Sequence, residues 1–133
     1  MTAPTPYLLL PGTARAALDF YAGVFGGEAV THTLAEFGRS DGPPDAVAHG
    51  WLRGGPVDLF ASDAAEDQRP FRSDGLLMSL LGTAGPETLR GWFAALAEGG
   101  RVVEPLETRP WGDTDGQVVD RFGVPWLIGF QGA

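Results

Sequence analysis

The sequence predicts an α+β fold in which each half of the chain forms a strand, a helix and three further strands. The order of apolar and turn-forming segments is the same in both halves, and each helical segment ends at a Gly-Gly pair. The spacing from Phe20 to Gly26 recurs from Phe93 to Gly99. One such half makes a small sheet with one helix and one apolar sheet face. Two halves can pack together, and the second face of the sheet can curve into a cleft.

The first half begins with a predicted strand in "TPYLLLPG", which ends at Pro11–Gly12. The segment Thr13–Gly27 has the spacing of an amphipathic helix. Thr13 is a suitable N-cap, and Gly26–Gly27 are suitable residues to end the helix. The apolar positions that recur at threes and fours are Ala14, Ala17, Leu18, Tyr21, Val24 and Phe25.

The rest of the first half reads as strands and loops. Glu28–Phe37 is rich in strand-forming residues, and Gly38–Asp45 has the composition of a loop. "AVAHGWL" and "PVDLFAS" flank Arg53–Gly55 and predict a hairpin. The polar segment Asp63–Asp74 is interpreted as a solvated linker.

The second half repeats this order. Gly75–Gly82 predicts a strand, and Gly85–Gly100 predicts a helix with Pro86 in its first turn. A strand and a loop follow from Arg101 to Gly112. The predicted buried positions of the helix are Leu89, Trp92, Phe93 and Leu96.

The last segment, "RPWGDTDGQVVDRFGVPWLIGF", predicts a closing hairpin. Its paired strands are Gln117–Asp120 and Pro125–Phe130, with turn chemistry at Asp115–Gly116 and at Phe122–Pro125. Asp120 is expected to accept backbone N–H bonds in the turn. By alternation, core positions on the final strand are Trp126, Ile128 and Phe130, whereas Leu127 and Gly129 face the other way.

Length and composition indicate one domain over residues 1–133. Of these residues 44% are hydrophobic, and the mean hydropathy is −0.02. We expect module one at about 4–63, a linker at about 64–74 and module two at about 75–133. The chain has no cysteine, so disulfides and thiolate chemistry are excluded.

The charge balance argues against two classes of partner. The net charge is −8, and the nine cationic residues are all arginines scattered along the chain. Nucleic acids and anionic membranes select for clustered cations, so neither is an expected partner. No apolar run is long enough for a membrane span, and the first residues lack the pattern of a secretory leader. A cytoplasmic location is the resulting expectation.

Three segments in order, "LDFYAGVFGGEA", "VAHGWLRGG…LFASD" and "PWGDTDGQVVDRFGVPWLI", resemble the vicinal oxygen chelate superfamily. This superfamily includes glyoxalases, bleomycin-resistance proteins and extradiol dioxygenases, and the chain is most similar to its PhnB-like subgroup. The resemblance implies two βαβββ modules that form a curved, mixed eight-stranded sheet around a cleft, with the helices on the outer face. It also implies a homodimer with sites at or near the subunit interface.

The resemblance also implies where metal ligands would lie in the enzymes of this superfamily. Aligned residue by residue, those positions fall near Pro6, Asp58, Gly75–Leu76 and Leu127. Only Asp58 carries a side chain that suits a divalent ion. The usual metal set is therefore not expected, and no cofactor is predicted. A divalent metal held through a nonstandard pair, His49 and Asp58, stays open as the alternative.

His49 is the candidate catalytic residue. Alternation along "VAHGWL" puts His49 and Trp51 on one face and Leu52 on the helix-facing side. An unperturbed histidine has a pKa near 6.5 and suits general base chemistry. A hydrogen-bonded structural histidine is the competing interpretation. The wider set of candidate cleft residues is Trp51, Asp58, Phe60, Arg109, Trp111 and Leu127.

Two of these candidates have open alternatives. Arg109 either binds an anionic ligand or pairs with one of the nearby aspartates. Trp111 either lies at the mouth of the cleft or covers the apolar face of its own hairpin.

Two functions follow. The first is a small-molecule-binding protein whose tryptophans stack on a planar or cationic ligand, in the cleft of a dimer. The second is a metal-dependent lyase, isomerase or dioxygenase with a nonstandard site. The aromatic content and the lost ligand positions favour the first.

Overall fold

A computed structural model describes residues 4–132 of the chain. The chain divides between Phe71 and Arg72 into two compact units. Each unit contains one helix and one mixed four-stranded sheet, which confirms the predicted α+β class and the two βαβββ modules. Within the described range, no helix is both long and apolar enough to cross a membrane.

The first unit has the strand order β1-β4-β3-β2. The central strand β4 pairs in parallel with β1 and antiparallel with β3, and β3 pairs antiparallel with β2. Its elements are β1 (Tyr7–Leu10), α1 (Ala14–Phe25), β2 (Glu28–Thr33), β3 (Val47–Arg53) and β4 (Leu59–Asp63).

The second unit repeats this topology with the strand order β5-β8-β7-β6. Strand β8 pairs in parallel with β5 and antiparallel with β7, so the closing β7–β8 hairpin is confirmed. Its elements are β5 (Met78–Leu81), α2 (Pro86–Ala97), β6 (Arg101–Thr108), β7 (Thr114–Val119) and β8 (Pro125–Phe130).

The apolar stripes of the two helices supply the cores, as their spacing predicts. Five of the six predicted positions of α1 are buried, and Val24 is half-buried. All four predicted positions of α2 are buried. The final strand contributes the buried side chains of Trp126, Ile128 and Phe130. Burial of an aliphatic or aromatic side chain of this size contributes about 1.5–3 kcal/mol, so these stripes account for much of each unit's stability.

The start of α1 differs from the prediction. Among the described residues, the Thr13 side chain makes no capping hydrogen bond. The Asp63 carboxylate takes this role, because its Oδ1 accepts the Ala14 N–H at 3.0 Å. Its Oδ2 accepts the Val47 N–H at 2.8 Å. A residue assigned to the solvated linker thus ties together the starts of α1 and β3 at the end of β4.

Strand β2 ends four residues earlier than predicted. The Thr33 hydroxyl accepts the Glu36 N–H at 3.1 Å, and the Thr33 carbonyl accepts the Phe37 N–H at 3.3 Å. These bonds close a turn, since a threonine hydroxyl competes with the ladder for nearby backbone groups. The register between β2 and β3 also shifts at this point.

The predicted turn at Asp115–Gly116 is wrong, because both residues lie inside β7. A Cβ on Gly116 would lie 2.8 Å from the backbone of Leu106 on the neighbouring strand. The glycine therefore permits a close approach of β6, which pairs with β7 through shifted registers. The reversal itself occurs earlier, where the Gly112 N–H donates to the Arg109 carbonyl.

Part of the segment expected as a linker lies along β1. The Ala64 N–H donates to the Leu10 carbonyl at 2.7 Å, and the Phe71 N–H donates to the Leu9 carbonyl at 2.6 Å. Strand β1 is at the edge of its sheet. The bond to Leu10 continues the β1–β4 ladder, in which the Phe60 N–H donates to the Pro6 carbonyl. The bond to Leu9 satisfies a carbonyl on the outer side of the edge strand, while residues 66–70 are exposed.

Candidate functional site

The sheet face of the first unit that turns away from α1 carries a row of aromatic side chains. Register pairs Tyr7 on β1 with Phe60 on β4, and Phe60 with Trp51 on β3. The Phe60 ring stacks on Tyr7 at 5.8 Å and lies 5.8 Å from Trp51, measured between ring centroids. On the opposite face of β3, Gly50 and Leu52 are buried against the helix layer. We call the row Tyr7, His49, Trp51 and Phe60 the aromatic face.

His49 is held in this face by three contacts. Its Nδ1 lies 3.1 Å from the Tyr7 hydroxyl, within hydrogen-bond distance. Its ring lies 5.7 Å from Tyr7 and 5.3 Å from Phe60. Sequence reasoning did not identify Tyr7. The signal was available in "PYLLL", where alternation puts Tyr7 opposite the buried Leu8 and Leu10.

Trp51 already has a cationic neighbour. The guanidinium carbon of Arg53 lies 5.1 Å from the centroid of the Trp51 ring. Arg53 also donates two hydrogen bonds to one carboxylate oxygen of Glu28, at 3.0 and 3.1 Å. The arginine is thereby fixed at the end of the aromatic face, and part of the Trp51 surface is covered.

A polar concavity of about 930 Å³ opens beside Tyr7. Its walls include Leu9 and Ser62, which follow Tyr7 and Phe60 on the same faces of their strands. The segments 39–43 and 64–68 also line it, with an ion pair between Arg39 and Asp41 at 2.6 Å. The concavity therefore adjoins the aromatic face at its Tyr7 end.

His32, the second histidine, is the register partner of His49 on β2. Its Nδ1 lies 3.0 Å from a carboxylate oxygen of Glu36, and its ring stacks on Phe37 at 5.6 Å. The hydrogen bond to the His32 ring lowers the pKa of the Glu36 carboxyl below its ordinary value. The two histidines thus have different partners although they are neighbours across the sheet.

The positions implied for metal ligands do not assemble a metal centre. Asp58 is exposed and lies one residue before β4. His49 shares its Nδ1 with Tyr7, and Leu127 offers no donor atom. Within residues 4–132, no group of three or more histidine, aspartate or glutamate side chains is placed to hold a metal ion. Divalent transition metals need several converging N or O ligands, so the described residues do not fit the usual metal set.

A second concavity, of about 490 Å³, lies in the second unit. Leu81, Leu127, Gly129 and Phe130 line it, with Asp113 and Asp115 among the polar groups. A Cβ on Gly129 would lie 2.7 Å from the Thr114 carbonyl oxygen. The glycine is therefore required by the close approach of β7, in addition to leaving space beside Leu127.

Arg109 has intramolecular partners. Its Nε donates to Asp115 Oδ1 at 3.0 Å, and one terminal nitrogen donates to the Asp115 carbonyl at 2.9 Å and to the Pro105 carbonyl at 3.3 Å. Only 19% of the side chain is exposed. Of the two alternatives for Arg109, this geometry corresponds to pairing with an aspartate.

Trp111 lies in the turn between β6 and β7 with 70% of its surface exposed. This exposure contradicts the alternative in which the ring covers the apolar face of its own hairpin. The exposed indole is available to a ligand or to another protein surface.

Comparison with known proteins places this geometry in a family. The sequence model of the Glyoxalase/Bleomycin resistance protein/Dioxygenase superfamily matches residues 5–128. Protein YjdN from Escherichia coli is 28% identical over 137 aligned positions, covering 93% of this chain and 92% of that protein. The crystal structure of PA1353 from Pseudomonas aeruginosa is 31% identical, with full coverage of both chains and a TM-score of 0.79.

A PhnB protein from Bacillus cereus shares the fold, with a TM-score of 0.77, 20% identity and coverage of 97% and 99% of the two chains. Nearly the whole chain is therefore accounted for by these matches, in agreement with the two βαβββ modules. The chain belongs to the glyoxalase, bleomycin resistance protein and dioxygenase superfamily.

Proposed function

We propose that this protein binds a small organic molecule on the aromatic face of its first unit, without the usual metal set of the superfamily. The observation that carries the proposal is the unbroken ring contact from Tyr7 through Phe60 to Trp51, flanked by His49. Flat aromatic surfaces of this kind stack on planar groups. The adjoining concavity of about 930 Å³ supplies room for the rest of such a molecule.

We propose further that the binding protein is a homodimer. The superfamily resemblance implies this assembly, and exposed apolar side chains of the second unit support it. The most exposed of these are Leu76, Leu81 and Trp111. Leucine and tryptophan side chains are more often buried than exposed, which supports placing a subunit interface on this unit. Light scattering coupled to size-exclusion chromatography measures the mass, and a monomer at micromolar concentration contradicts the assembly.

The binding proposal is tested by titrating a panel of planar small molecules against tryptophan fluorescence. Trp51→Phe and Trp111→Phe form a matched pair, because both remove one partly or largely exposed indole. We expect a saturable change in the wild-type protein and in Trp111→Phe, with loss of most of the signal change in Trp51→Phe. If no compound in the panel gives a saturable change, the proposal is wrong.

A further inference from the structure

The charges around the aromatic face restrict what it can bind. Arg53 already lies over the Trp51 ring at 5.1 Å, where a ligand cation would otherwise sit. A second cation at the same ring would meet a like charge, which costs free energy at short distance. The net charge of −8 attracts cations at long range, but salt screens that attraction beyond about 8 Å at physiological ionic strength.

Anionic ligands are not favoured either. The arginine of this sheet face, Arg53, has the Glu28 carboxylate as a partner, and the neighbouring His32 ring is hydrogen-bonded to the Glu36 carboxylate. An anion bound here would lie near the Glu28 and Glu36 carboxylates, and like charges at short distance cost free energy. The local arrangement therefore leaves uncharged groups as the best match.

The Tyr7–His49 pair offers hydrogen-bonding groups that a ligand on the aromatic face would have to match. If the hydroxyl donates to Nδ1, the ring carries its proton on Nε2 and presents a donor there, while the tyrosine oxygen keeps a lone pair. If Nδ1 donates instead, Nε2 becomes an acceptor and the hydroxyl becomes the donor. In either arrangement the pair retains one further donor and one further acceptor beside the stacked rings.

We propose, on the basis of the proposed function, that the aromatic face selects uncharged planar rings that carry a hydrogen-bonding substituent, and that it disfavours cations. The ring stacks on Phe60 and Trp51. Its substituent bonds to the Tyr7–His49 pair.

Three naphthalene probes of similar shape separate the contributions. 2-Acetylnaphthalene is uncharged and has a carbonyl acceptor, 2-isopropenylnaphthalene replaces that oxygen with a methylene group, and 2-naphthylmethylammonium is a cation. Affinities come from fluorescence, and the Trp51 indole N–H signal in NMR spectra reports the location. Because one hydrogen bond contributes about 1 kcal/mol net, we expect the ketone to bind about fivefold tighter than the hydrocarbon. We expect it to bind about tenfold tighter than the cation.

Variants assign these preferences to residues. The double variant Tyr7→Phe/His49→Phe keeps the ring surface and should bind ketone and hydrocarbon equally. Arg53→Gln should raise the affinity for the cation several-fold, whereas Arg101→Gln, an exposed arginine on β6, removes the same charge and should leave it nearly unchanged.

Equal or tighter binding of the cation by the wild-type protein overturns this inference and leaves the proposed function standing. A ketone preference that persists in the double variant also overturns it. If none of the three probes shifts the Trp51 signal, both the inference and binding at the aromatic face are wrong.

Discussion

The indole nitrogen of Trp126 donates a hydrogen bond to Asp120 Oδ2 at 2.9 Å inside the second unit. The other carboxylate oxygen, Oδ1, accepts the N–H groups of Phe122 and Val124 at 2.8 and 3.1 Å. One buried carboxylate thus shapes the β7–β8 turn and fixes the largest side chain of the core. Buried polar groups in native structures are nearly always hydrogen-bonded, and both oxygens of this carboxylate accept hydrogen bonds.

Asp120→Asn should destabilise the protein by about 1–3 kcal/mol, because an amide nitrogen cannot accept the bonds that one of the two oxygens accepts now. Chemical denaturation measures the free energy of unfolding. Asp74→Asn, at an exposed position, is the matched control. If Asp120→Asn lowers the free energy of unfolding no more than the control variant does, this account of the turn is contradicted.

Asp63→Asn should cost a similar amount, about 1–3 kcal/mol. Asparagine keeps one acceptor, so either the Ala14 N–H or the Val47 N–H loses its partner. The comparison is Asp67→Asn, which changes an exposed aspartate four residues away. Hydrogen exchange adds a local measurement, since we expect faster exchange in the first turn of α1. Unchanged exchange there would rule out the capping role.

Arg109→Lys should destabilise the β6–β7 pair by about 1–2 kcal/mol, even though the charge is kept. A lysine ammonium is a single-point donor and cannot reproduce the fork that reaches the side chain and carbonyl of Asp115 together. Arg101→Lys, which changes an exposed arginine on β6, serves as the control. Thermal unfolding with the two melting temperatures equal would show that the fork is dispensable.

Glu36 should titrate at a lower pH than an ordinary glutamate, because the hydrogen bond to His32 favours its ionised form. A carboxyl with a lowered folded-state pKa stabilises the fold above its unfolded pKa, and this contribution is lost as the pH falls through the folded value. Carbon-13 NMR of the carboxyl measures the titration. His32→Ala should move it upward, and His49→Gln should not. Both variants giving the wild-type titration would exclude the His32 contact as the cause.

The elements that sequence periodicity could predict were the helices and the final strand. Their apolar positions are spaced for one face, and burial of that face against a sheet is the dominant favourable contribution, so Trp92 and Trp126 lie where the spacing puts them. The local exceptions have tertiary causes. Gly116 resembles a turn residue in sequence, but it lies in a strand because β6 approaches within contact distance.

The candidate site could be predicted only in part for the same reason. Alternation assigned His49 and Trp51 to one face, since strand period is a local property. The partners of these side chains come from other strands: Tyr7 is 42 residues from His49, and register between β1 and β4 decides their contact. Similarly, composition alone could not show that Arg109 pairs with Asp115 instead of a ligand. That contact depends on how β6 and β7 pair, and their register is shifted at two points.

The bond from the Phe71 N–H to the outward-facing Leu9 carbonyl of β1 has a practical consequence for work with fragments of this protein. An unpaired edge strand is a template for strand addition by other chains, and aggregation follows when it is long and apolar. Truncating the chain after Asp63 would strip this protection from "YLLL", whereas truncating it after Phe71 would retain it. We therefore expect a fragment that ends at Asp63 to self-associate more readily than one that ends at Phe71.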